Sequence, residues 1–156
     1  MMRSVRGFTL IELMIAIGVM AIIAVMAAPS FTNMLLRQNL NTSTRNLIIV
    51  LEKARSKAAL ERRTVTVTLN SSSADTDSTL NWTASGKSVL ISTTTSITFR
   101  ADGMVQDPTT TTAPLSADMT LVLCDQAQAQ AQYSKRIILS RMGVVQQGDL
   151  VTGNCQ

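Results

Sequence analysis

Few side chains in this sequence could do chemistry, and the first of them, Glu12, sits in an unfavourable place. It is the only charge between Phe8 and Ala28, a run of 21 residues that is otherwise almost wholly apolar. A carboxylate at bilayer depth costs a few kcal/mol, roughly 2.5–3.5 on insertion scales, and such groups face a partner. Two cysteines, Cys124 and Cys155, fit no Cys-x-x-Cys metal or redox spacing. As an even count beyond a membrane segment they read as one disulfide, and two buried thiols in a reducing compartment are the alternative. The chain has no histidine, which excludes Ser-His-Asp, Cys-His and His-metal chemistry. Asp75 and Asp77, with Asn70 nearby, suggest calcium at first sight. They lack the further oxygens and the glycine of a calcium loop and read instead as a solvated turn. No glycine-rich phosphate loop is present and no nucleophile has a base in sight, so an enzyme is not expected, and neither a metal nor any other cofactor.

Charge adds little. Lys and Arg number 14 against 10 Asp and Glu, and Arg3 and Arg6 lie ahead of the apolar run. The remaining excess is too small to point to nucleic acid. Lys135, Arg136 and Arg141 are scattered cations that would give at most weak, salt-sensitive phosphate contacts.

The elements that must position these groups begin with the apolar run itself. Phe8 to Ala28 gives about 30 Å of helix at 1.5 Å per residue, one hydrocarbon thickness. Arg3 and Arg6 before it place the amino terminus in the cytoplasm and the rest outside. The stretch Val25 to Phe31 could pass for a signal-peptidase site. Gly7-Phe8-Thr9-Leu10-Ile11-Glu12, however, stands ahead of the run and resembles the type III signal of the type IV pilin superfamily. The resemblance implies that a prepilin peptidase cuts after Gly7 and methylates the new amino terminus on Phe8, so the helix stays on the mature protein. It also implies that Glu12 neutralises the amino terminus of a neighbouring subunit.

Beyond Pro29 apolar residues recur at helical spacing (Leu36, Leu40, Leu47, Leu51, Ala54, Ala58), with Arg37, Arg45, Lys53 and Arg62 largely between them. They predict an amphipathic helix to about Arg62, continuous with the membrane part and softened at Gly18 and Pro29. From Thr64 the period becomes two: Val65, Val67 and Leu69 alternate with threonines. Short strands are then predicted around 80–84, 88–92, 97–100, 119–124 and 136–140, with another starting at Gly143. Asp102-Gly103 marks a turn, 106–118 a Thr/Pro-rich surface loop and 126–132 a connector.

The expected organisation is a leader at 1–7, a membrane or filament-core helix at 8–28, an amphipathic helix at 29–62 and a β-rich domain at 63–156. The fold class is α+β, a long amino-terminal helix packed against antiparallel β-sheets. "ITFRADGMV" and "IILSRMGVVQ" resemble the Phe-x-x-x-Gly and Ser-Arg-x-Gly-x-Val stretches of the GspH/FimT type, within which the chain is FimU-like. Some FimT-type relatives take up DNA through Gly-Arg-x-Arg; here the matching residues are Gly143-Val144-Val145-Gln146, and both arginines are absent.

The resemblance implies a minor pilin that helps initiate or tip a type IV pilus within a priming complex. Its partners would be other minor pilins, the major pilin, the prepilin peptidase and the assembly platform of the bacterial inner membrane. It would cross that membrane once, with its carboxy-terminal domain in the periplasm, and later join the fibre. Cys124 and Cys155 would clamp the tail to the sheet. A type II secretion pseudopilin of the same fold is the alternative, and a DNA-binding pilin the third reading.

Overall fold

The structure is a computed structural model, and it describes residues 8–110, 113–153 and 155, with side chains left out at 28 and 29. Gly7 and the rest of the expected leader lie outside the described residues. The chain divides into two compact units, residues 1–35 and 36–156. Helix α1 runs over Leu10–Glu61, and its helical assignment continues across Gly18 and Pro29. Within the first unit, Leu10–Ala27 is exposed along its whole length and apolar enough to cross a membrane.

In the second unit the spacing of apolar residues decides which helix face is buried. Leu40, Leu47, Leu51, Ala54 and Ala58 have no exposed surface and form one stripe of the core. The helix ends without glycine: Arg62 takes φ 51° and the Arg63 N–H bonds the Ala58 carbonyl at 3.2 Å, which satisfies one of the last-turn acceptors.

Among the described residues seven strands follow: β1 (Val65–Leu69), β2 (Thr79–Trp82), β3 (Val89–Ile91), β4 (Ser96–Phe99), β5 (Met119–Cys124), β6 (Tyr133–Leu139) and β7 (Val145–Thr152). They form two sheets, β2-β1-β4 and β3-β5-β6-β7. Alternation places Val65, Val67 and Leu69 of β1, and Leu121, Leu123, Ile137 and Leu139 of the second sheet, in the same core as the helix stripe, with Phe99 and Trp82.

Every pairing is antiparallel except β1–β2, which is parallel. Sequence patterning carries no sign of this departure, because it arises in the polar stretch 70–78. That stretch carries the chain back so that β2 starts beside the start of β1, with the Thr66 N–H bonding the Ser78 carbonyl at 2.8 Å. The strand predicted from Arg136 begins earlier, at Tyr133.

Candidate functional site

The amino-terminal end of α1 is built as a reciprocal cap. The Thr9 backbone N–H and its hydroxyl donate to Oε2 of Glu12 at 2.9 and 2.8 Å, and the Glu12 N–H donates to Thr9 Oγ1 at 3.3 Å. Thr-x-x-Glu is the capping-box pattern, which satisfies two of the four free N–H groups at a helix start. The Thr9-x-x-Glu12 spacing gives Glu12 this second task beside its charge. Phe8 is exposed, as are Leu10 and Ile11.

A second constellation gathers the two glycine motifs. Phe99–Val105 and Leu139–Val145 are twin turns. In each the first residue after the strand bonds a residue four on (Arg100 N–H to Met104 O, 2.9 Å; Ser140 N–H to Val144 O, 2.9 Å), and the glycine N–H closes the loop at 2.8 Å. Gly103 and Gly143 have φ of 78° and 77°, where side chains are strained. The turns are joined by the Val105 N–H bonding the Arg141 carbonyl at 3.0 Å, and the Arg55 side chain from α1 lies against both glycines. A Cβ on Gly143 would stand 2.5 Å from the Gly103 carbonyl oxygen.

The third is the tail. Cys124, ending β5, and Cys155 are disulfide-bonded, with Cα atoms 5.9 Å apart and a sequence separation of 31. The bridge fixes residues just past β7 to a strand two places away in the sheet. Replacing both cysteines with serine is expected to lower stability by about 3–4 kcal/mol through loop-closure entropy. Denaturant titration of the full chain in detergent measures it; an unchanged midpoint would remove the stabilising role.

The cations do not converge. Lys135 pairs with Leu123 and so shares the inner face, whereas Arg136 pairs with Val122 on the outer face. Arg141 lies in the turn past the far end of β6, whose last residue Leu139 is already roughly 13 Å along the strand from Lys135 at about 3.3 Å per residue. Burial lowers the Lys135 pKa below its ordinary value, assisted by the neighbouring Arg45 charge and opposed by Asp149. Arg37, on the charged side of the helix in the sequence pattern, stacks 4.1 Å from the centre of the Tyr133 ring and donates to its hydroxyl.

Asp75 accepts the Asn81 N–H at 2.8 Å and pairs with Lys53 at 3.7 Å, which gives it a structural task. Among the described residues no group of three or more His, Cys, Asp or Glu could hold a metal.

A model of the prokaryotic N-terminal methylation motif matches residues 2–28, and a model described as type II transport protein GspH matches residues 43–143. No curated protein matches. Among solved structures the chain is similar to the type IV minor pilin FimU of Pseudomonas aeruginosa. The identity is 16%, over 72% of this chain and 90% of that one, with a TM-score of 0.51. At that identity the likeness is one of fold.

Proposed function

The chain belongs to the family of the type II transport protein GspH, and from that premise we propose that it is a minor pilin of a type IV pilus, acting by assembly and without catalysis. The observation that carries the reading is the amino-terminal helix. Its Leu10–Ala27 segment is apolar and exposed, and it opens on Phe8 and a capped Glu12 inside a methylation-motif match. An apolar helix with one fixed acid suits a bilayer before assembly and a helix-lined filament core after it.

In this proposal the peptidase cuts between Gly7 and Phe8 and methylates Phe8, and the new amine becomes the counter-charge for a neighbour's Glu12. Gly18 and Pro29 give the helix its soft points. The domain lies in the periplasm of a bacterium, anchored once in the inner membrane, and enters the fibre with other minor pilins as part of a priming complex. The FimU likeness supports the pilus assignment. The family description favours a second reading, a pseudopilin of type II secretion. Deletion separates them: loss of twitching motility supports the first, loss of exoprotein secretion the second. Arg136 and Arg141 leave DNA contact as the weakest reading, since the cations do not track along one face.

The intact mass of the protein recovered from membranes tests the core claim. It is expected to correspond to a chain starting at Phe8 and carrying one methyl group. A chain starting at Met1, or beyond Ala28, would overturn the assignment.

A further inference from the structure

Sheet edges are hazardous because their unpaired backbone groups invite another strand, and this fold treats its edges unequally. The outer side of β2 is closed by the chain itself: the Thr76 N–H bonds the Thr79 carbonyl at 2.8 Å and the Asn81 N–H bonds Asp75 at 2.8 Å. The outer side of β4 is met by Val105 and Gln106, the latter bonding the Thr98 carbonyl at 2.8 Å. Strand β3 is three residues long. Strand β7 is eight residues long, has neither lysine nor proline, and among the described residues makes no backbone bond on its outer side.

The two halves of that edge differ. Register steps from Lys135↔Leu150 to Ile137↔Gln147, so Gly148 and Asp149 together oppose Arg136, a bulge that bends the strand. Beyond it, Leu150–Thr152 continues in regular register, with Leu150 and Val151 40% and 39% exposed on opposite faces. The disulfide anchors the chain just past this stretch, which presets its shape.

Cations flank the same stretch. Lys135 opposes Leu150, Tyr133 with its stacked Arg37 opposes Thr152, and Arg45 is close enough to act on the Lys135 charge. Arg136 faces the bulge. Asp149 opposes the Lys135 charge and the buried Asp125 lies beside Tyr133, and among the described residues none of the four cations has an ion pair within 4 Å.

We propose that the outer edge of β7 at Leu150–Thr152 is a strand-addition site that takes an extended acidic segment of another subunit of the assembly. Main-chain hydrogen bonds would supply the pairing and Arg37, Arg45 and Lys135 the selection for carboxylates. A second copy of this chain would bring the same cationic excess against itself. The stretch lies outside the residues matched by the family model. The inference rests on the pilin reading above.

A photo-crosslinking residue placed at Val151 of the full chain, in the cells that make it, tests the site, with Ile49 as an exposed helix control. Adducts mapped by mass spectrometry are expected to join Val151 to an extended, Asp/Glu-rich segment of another subunit. A double variant, Arg45→Glu with Lys135→Glu, is expected to cut their yield at least tenfold while the disulfide still forms. Adducts to a second copy's β7, to nucleic acid or to lipid, an undiminished yield in the double variant, or no adduct at Val151, would each overturn it. The amino terminus of the same sample separates the two failures. A chain starting at Phe8 without Val151 adducts defeats strand addition alone, and one starting at Met1 defeats the pilin reading.

Discussion

Gly143→Ala is expected to destabilise the second unit by about 3 kcal/mol or more and to lower its melting temperature by roughly 10 °C. Two costs act together. At φ 77° a Cβ strains the backbone by about 1–2 kcal/mol, and here it would also lie 2.5 Å from a backbone oxygen of the partner turn and 2.9 Å from Arg55 Cδ. The carbonyl of Gly103 cannot retreat easily, because its turn is closed by the Gly103 and Val105 N–H bonds. The twin glycine supplies the control. Gly103→Ala suffers the same strain at φ 78°, but its Cβ would meet nothing nearer than 3.7 Å. It is expected to cost only about 1–2 kcal/mol. Thermal melting of both variants decides it, and equal shifts would mean that the turns do not press on one another.

Glu12→Gln separates the two tasks of that residue. Glutamine still serves in a capping box, so the helix start should survive, while the negative charge is gone. If pairing with a neighbour's amine drives assembly, Glu12→Gln and Glu12→Ala should both be cleaved normally. Both should then enter filaments about a hundredfold less, on the order of 3 kcal/mol. Immunoblots of sheared fibres against membranes give the ratio. Wild-type incorporation of Glu12→Gln, with Glu12→Ala defective, would assign the residue to capping alone.

Much of the fold could be read directly from the chain because its period changes once and cleanly. The stripe from Leu40 to Ala58 and the alternation of Val65, Val67 and Leu69 are local signals, and both emerge in the core. What stayed hidden depends on contacts between distant segments. The parallel placement of β2 is decided by the path of a polar loop. The inward side of Lys135, beside Leu123 and ahead of the bulge, cannot be seen in a strand whose partner is unknown. "FRADGMV" and "LSRMGVV" were visible as two glycine turns, but their mutual contact through Arg55 needs the fold. The capping box, by contrast, is local: Thr9 and Glu12 stand three apart at the start of the helix.

The cystine has a further consequence. Because it joins Cys124 to Cys155, β6, the Leu139–Val145 turn and β7 all belong to one covalent ring. A single cut by an external protease anywhere in that ring opens it without releasing a fragment, and the severed ends remain tethered beside their old neighbours. Under the pilus reading proposed above, such a ring would let the domain carry a nick and keep its shape.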